Sequence, residues 1–211
     1  DAVADFLSCF VTLFPHGDFF TLNISSPNTP QLRDLQEKSL LRELLSAVQE
    51  RNRELAASAQ ISPKPLFVKI APDMEFAQVD EIVEVAAAAK LTGIVATNAT
   101  AFMREGLKSR CGSEPGGLSG RPITAVVTSF IAHIYQTTRG SLPIIGVGGI
   151  FDAQDAYDKI KAGANAVQIY TGWIYEGPGA VKRINTGLLR LLERDGFKRI
   201  TDAIGVKSAS K

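Results

Sequence analysis

Thiols are scarce: the 211 residues include only Cys9 and Cys111. One lies in an apolar helical pattern and the other in a glycine-rich loop, which is neither a disulfide framework nor a metal-ligand spacing. Free thiols and no metal site are therefore expected. Net charge is also missing. With 23 Lys and Arg against 22 Asp and Glu the formal charge is +1, so there is no basic stripe for nucleic acid and no nucleic-acid partner is expected. No apolar run approaches the roughly 18 residues of a membrane span, and no signal-peptide pattern is visible. Of the two histidines, His16 sits in a Pro-Gly turn and His133 at the boundary of an apolar helix, and neither reads as catalytic. Asn23-Ile24-Ser25 and Asn98-Ala99-Thr100 match glycosylation sequons and are read as chance. What remains is an ordinary globular composition, 45% hydrophobic and 21% charged, enough for one sizeable core and one domain.

The chain opens on Asp, inside a helix whose Val3, Phe6, Leu7, Phe10, Val11 and Phe14 share one face. Pro15-His16-Gly17 ends it. A strand over 19–24 follows, with Phe20, Leu22 and Ile24 on one face and Thr21, Asn23 and Ser25 on the other. A long amphipathic helix carrying Leu32, Leu35, Leu41, Leu44, Leu45 and Val48 runs to the breaker Ser62-Pro63-Lys64-Pro65. Further strands are expected at 66–70, 93–98, 143–147 and 166–170. Helices are expected around Val79–Ala86, from about Pro122 to Gly140, from Asp152 to Ala162 and from Gly179 to Arg194. Short apolar strands alternating with helices imply βα units around a parallel sheet. An open doubly wound sheet and a closed barrel both fit that pattern. Polar residues at the C-terminal ends of all five strands favour the barrel, since an open sheet concentrates them at one switch point. The expectation is an α/β fold, an incomplete (β/α)8 TIM barrel comprising about strands four to eight with their helices. The first three βα units are then absent from the sequence.

Asn23-Ile24-Ser25-Ser26-Pro27-Asn28-Thr29-Pro30 is the segment around which the rest is organised. Pro27 and Pro30 stop the strand and stiffen the loop, so the amides of Asn23 and Asn28 flank the Ser26 hydroxyl. Such a loop also serves as a plain turn. Asn98 adds a third amide at another strand tip, and three together suit a planar, amide-rich ligand. Gly146-Val147-Gly148-Gly149 and Gly117-Leu118-Ser119-Gly120 are two strand-end loops whose N–H groups can approach a phosphate, which suggests a phosphorylated cofactor. Lys69 either points into the barrel, where it needs an anionic partner, or snorkels outward at the strand end. Trp173 and Tyr175 are expected to pack at the mouth of the fifth strand, where Trp173 could shield a cofactor.

These segments, together with Val68-Lys69-Ile70-Ala71-Pro72-Asp73, Ala96-Thr97-Asn98, Gly116-Gly117-Leu118-Ser119-Gly120-Arg121-Pro122 and Gln168-Ile169-Tyr170-Thr171-Gly172, resemble in order the signatures of the dihydroorotate dehydrogenase family. Ser26 resembles the quinone-dependent class 2, since class 1 members carry Cys there. The resemblance implies an FMN-containing barrel that oxidises dihydroorotate to orotate in pyrimidine biosynthesis and passes the electrons to a quinone. It implies Ser26 as the catalytic base, Asn23, Asn28 and Asn98 as substrate-binding residues, and Asn23, Lys69 and Thr97 beside the flavin. Ser119, Gly120, Val147, Gly148, Gly149, Tyr170 and Thr171 are implied in holding the cofactor, its ribityl phosphate above all. Residues 1–205 would then form the C-terminal part of the FMN-binding barrel and 206–211 a loose tail. The protein would lie peripherally on the inner or cytoplasmic membrane through an absent N-terminal segment, and the fragment itself would be soluble and inactive.

Two positions depart from the family pattern. Ala99 replaces a substrate-holding Thr, at a loss of about 0.5–1.5 kcal/mol for one neutral hydrogen bond. Gln31 replaces a Gly just after the serine loop, which bears on loop mobility. Alternatives are another FMN-dependent barrel oxidoreductase acting on pyrimidines, a non-redox phosphate-binding barrel, and a non-catalytic homologue.

Overall fold

The computed structural model describes residues 2–208. Helix α1 (Ala2–Leu13) and a 3-10 turn over Phe14–His16 precede β1 (Phe20–Asn23). Then come α2 (Pro30–Arg33), a 3-10 turn over Asp34–Gln36, and α3 (Lys38–Ser58). Strand β2 (Leu66–Ile70) leads to α4 (Phe76–Ala88), and β3 (Gly93–Ala96) leads through a long loop to α5 (Thr124–Thr138). The chain continues through β4 (Ile144–Val147), α6 (Ala153–Ala162), β5 (Ala166–Gln168), α7 (Thr171–Glu176) and α8 (Ala180–Arg194).

All four strand pairings are parallel and the spatial order is the sequence order, β1 to β5. An order without reversal has no switch point, so the open doubly wound alternative falls and a partial (β/α)8 barrel stands. Register explains which side chains face the helices. Leu22, Val68, Ile94 and Ile144 are consecutive partners across the first four strands, and all four are buried beneath helices. One residue on, Asn23, Lys69, Val95, Ile145 and Ala166 form the next row, whose side chains alternate to the concave face. The shared core takes Leu41, Leu44, Leu45 and Val48 from α3, Val79 and Ile82 from α4, and Val127, Ile131 and Ile134 from α5. Spacing by three and four puts each set on one helical face. Asp152 caps α6 by accepting from Asp155 N at 2.9 Å, and Gly163 closes it at φ +131°, as the sequence led one to expect.

Several expectations need correction. The long helix from Leu32 is broken at Glu37, which turns extended (ψ 136°) and caps α3 by accepting from Ser39 N at 3.1 Å. Leu35 stays buried in the turn before it, so the apolar spacing runs on unbroken while the backbone does not. Strands β3 and β5 stop two residues early, and α7 occupies what read as loop and open strand mouth. Trp173 and Tyr175 lie on α7, 49% and 78% exposed, rather than packed. In the segment after Gly205, Lys207 N donates to Lys161 O at 3.0 Å and Ser208 Oγ to Ala162 O at 2.9 Å. The remainder of the expected tail, 209–211, lies outside the described residues. His133 is bound to Asp80 at 2.7 Å and stacked on Phe76, a structural pairing. Cys9 and Cys111 are free and exposed. Among the described residues no helix is long and apolar enough to cross a membrane, and no cluster suited to a metal ion occurs.

Candidate active site

Because every strand is parallel, all five C-terminal tips lie at one end of the sheet, and the loops that leave them surround a cavity of about 400 Å³. That is a size suited to a small organic ligand. Its lining includes the residues that the family resemblance implies for catalysis, substrate and cofactor: Asn23, Ser26, Asn28, Lys69, Thr97, Asn98, Ser119, Gly120, Val147, Gly148, Gly149, Tyr170 and Thr171.

At the tips of β1 and β3, Asn98 Nδ2 donates to Asn23 Oδ1 at 3.0 Å and to Ser25 Oγ at 3.1 Å, while Ser25 Oγ donates to Asn23 Oδ1 at 3.2 Å. Asn98 Oδ1 accepts from Ala99 N at 2.8 Å. Asn98 is thus committed to holding its neighbours, and Nδ2 of Asn23 is the donor left over for a ligand. Ser25, fully buried, had not been assigned a part. The alternation that put it on the polar face with Asn23 was the available signal.

Ser26 is half-buried, and its Oγ accepts from Asn28 N at 3.4 Å. Its own proton is then free to leave or to be relayed. The Ser26 carbonyl accepts from Arg33 Nε at 3.3 Å, and Arg33 Nη1 pairs with Asp73 Oδ2 at 2.9 Å. Asp73 also accepts from Ala101 N at 2.9 Å and from the Thr100 hydroxyl, and its side chain is 2% exposed. The serine loop is therefore tied through a buried ion pair to the loops after β2 and β3. Arg33 keeps a buried Nη2 with no hydrogen-bond partner. A third tie is steric. A Cβ built on Gly117 would stand 2.5 Å from Pro27 Cγ and 3.0 Å from Ala99 Cβ, so the 99–120 loop can press on the serine loop only because residue 117 has no side chain.

Lys69 occupies the concave face of β2 beside Asn23, which decides between the two readings of its direction. It has no ion-pair partner among the described residues, and burial pushes its ammonium pKa below the usual lysine value. Thr97 is buried, donating from Oγ1 to Asn98 O at 3.0 Å and from its backbone N to Val147 O at 3.0 Å.

On the opposite side, Ser119 Oγ and Thr171 Oγ1 are 2.7 Å apart, joining the loop after β3 to the start of α7. Thr124 Oγ1 donates to Gly149 O at 3.1 Å, and a Cβ on Gly149, at φ +70°, would fall 1.9 Å from that hydroxyl. Only glycine fits there, and the bare backbone faces the cavity as a phosphate cradle requires. Tyr170 lines the cavity with its side chain 71% exposed; Trp173 does not line it.

Together these features define a class: a parallel α/β barrel protein whose strand tips combine a glycine turn without room for side chains with a serine and amides on the other wall. The chain belongs to the dihydroorotate dehydrogenase family, whose model matches residues 1–192. It is 46% identical over 219 residues to a dihydroorotate dehydrogenase (quinone) of Nostoc punctiforme, covering 100% of this chain and 56% of the relative. It is 49% identical over 206 residues to that of Myxococcus xanthus, covering 98% and 55%. A crystal structure of DHODH from Eimeria tenella in complex with ferulenol superposes with a TM-score of 0.92 at 36% identity, over 98% of this chain and 58% of that one. The chain thus spans little more than half the length of the relatives it matches.

Proposed function

We propose that this chain carries the catalytic base and most of the cofactor site of an FMN-dependent enzyme that oxidises dihydroorotate to orotate and hands the electrons to a quinone. The observation that carries this reading is the meeting of Ser26, Lys69 and the Gly148–Gly149 turn around one cavity. The residues present fit FMN: backbone without side chains at Gly120, Gly148 and Gly149 for the phosphate, the Ser119 and Thr171 hydroxyls beside it, and Lys69 and Thr97 for the ring. FMN, when bound, supplies the hydride acceptor.

The chain's own residues supply the rest. Oxidation removes a hydride and a proton from adjacent ring carbons and leaves a double bond, and Ser26 Oγ is assigned the proton. A serine hydroxyl is a poor base at neutral pH, so the Asn28 N–H that reaches Oγ helps by stabilising negative charge on it, and a relay carries the proton onward. Lys69, an ammonium without a carboxylate partner, balances negative charge that builds on the neighbouring ring. Asn23 Nδ2 orients the substrate, held in place by Asn98 and Ser25. Delivery to a quinone calls for a position at a membrane surface. Turnover is assigned to a protein in which further strands complete the ring left open here by five.

The test is that longer protein, purified, scanned for flavin absorbance and assayed for dihydroorotate-dependent quinone reduction. Ser26→Ala is expected to keep the flavin spectrum and lower turnover by about 100-fold or more. Full turnover in that variant would remove Ser26 from its role, and absence of flavin would remove the redox reading in favour of a phosphate-binding barrel.

A further inference from the structure

Lys159 on α6 takes no part in the chemistry above, yet it is fully buried. Its Nζ donates to Thr128 Oγ1 at 3.1 Å and to Thr124 O at 3.4 Å, both on α5. No carboxylate forms an ion pair with it among the described residues. The nearest ones on its own helix are engaged elsewhere. Asp155 accepts from Phe151 N and Asp152 N and pairs with Arg121 at 3.6 Å, while Asp158 pairs with Lys207 at 2.9 Å and Lys161 at 3.8 Å. Both carboxylates favour the charged form of Lys159, but burial outweighs them and pushes its pKa down to about 8.

What lies on the other side of Thr124 gives this arrangement a purpose. Thr124 Oγ1 holds Gly149 O at 3.1 Å, so the ammonium stands two contacts behind the Gly148–Gly149 turn. A cation kept in a low-dielectric interior without a bonded counter-charge is unfavourable. The same low dielectric carries its field forward with little screening, and the turn in front of it lines the cavity.

We propose that Lys159 is a positioning residue for phosphate: through Thr124 it fixes the Gly148–Gly149 turn, and its buried charge favours a dianion over a neutral group at that turn. This rests on reading the cavity as an FMN site and adds a residue that touches no ligand. It predicts opposite effects on the empty and the loaded protein, which a merely structural lysine would not give.

The test compares FMN with riboflavin, which lacks the phosphate, by titration of flavin fluorescence against wild type and Lys159→Met. FMN affinity is expected to fall about tenfold or more, riboflavin affinity to stay within about twofold, and the urea midpoint of the ligand-free variant to equal or exceed that of wild type. Lys159→Arg is expected to recover part of the preference for FMN. An unchanged FMN-to-riboflavin ratio, or parallel loss of both, overturns the proposal. Should Lys159→Met fail to fold, the Lys159 side-chain resonance in wild-type protein is followed instead, with titration expected to move to higher pH when FMN is added; an unmoved titration overturns it equally. Wild type that binds neither flavin defeats the FMN reading itself, and this proposal with it.

Discussion

Removing the carboxylate of Asp73 tests whether the serine loop is held by the buried ion pair. Asp73 is 2% exposed and Arg33 17%, with 2.9 Å between them. Breaking such a pair by deleting one partner leaves an uncompensated charge and costs about 3–5 kcal/mol. The residual exposure of Arg33 lets water reach part of the guanidinium, which favours the lower end. Against that, Asp73→Ala also orphans the Ala101 N–H, worth about 1–3 kcal/mol when buried. We therefore expect a loss of about 3–5 kcal/mol for Asp73→Ala. Arg33→Met should lose less, since it also removes the unpartnered Nη2 and leaves Asp73 with its Thr100 and Ala101 donors. In Arg33→Met/Asp73→Ala the two losses should not add, with a coupling of about 2 kcal/mol. Urea unfolding reads all three, and with a slope of about 1–3 kcal/mol/M the Asp73→Ala midpoint should fall by about 1 M or more. A loss below about 1 kcal/mol, or strict additivity in the double variant, would refute the reasoning, because a solvent-screened surface pair behaves that way.

Three other perturbations have clear signs. Gly149→Ala forces a Cβ to within 1.9 Å of Thr124 Oγ1 at a backbone φ of +70°, and should destabilise the protein by about 1–3 kcal/mol while weakening FMN much more than riboflavin; parallel binding of both flavins would tell against the cradle. Burial holds the folded pKa of Lys159 at about 8, below the ordinary lysine value of 10.5, so the unfolded chain binds more protons between those values and stability should rise with pH across that window, by about 3 kcal/mol in all. Lys159→Met should lose this rise and be the more stable protein below pH 8, and urea midpoints taken from pH 7 to 10 would expose the opposite slope. Tyr157, fully buried, donates to Asp195 at 2.9 Å. Tyr157→Phe should lose about 1.5–3 kcal/mol by the same measurement, and an unchanged midpoint would show that this bond contributes nothing.

Much of the fold could be read in advance because apolar spacing and strand punctuation speak locally. Leu41, Leu44, Leu45 and Val48 announce α3 whatever they pack against, and Asp152 and Gly163 mark both ends of α6. The break at Glu37 escaped because Leu35 remains buried on either reading, so hydrophobic periodicity does not register it. Helix α7 escaped for the opposite reason: with Trp173, Ile174 and Tyr175 all exposed, six residues show no amphipathic stripe. In the cavity, residues at strand tips were visible because strand ends are set by short-range signals. Arg33, Asp73 and Lys159 were not, since each acquires its meaning from a partner distant in the chain, and each has an ordinary local explanation as a surface charge or a helix residue.

The contact between Gly117 and Pro27 carries a mechanical implication. Packed together there and also joined through Arg33 and Asp73, the segment bearing the serine and the stretch from Ala99 to Gly120 cannot part without breaking the bonds that Asp73 makes to Arg33, Thr100 and Ala101. That stretch ends in Ser119 and Gly120, which line the cavity on its other side, with Ser119 bound to Thr171. Opening the mouth on one side therefore slackens the clasp on the other, so admission of one molecule and retention of its neighbour are geared together rather than adjusted independently.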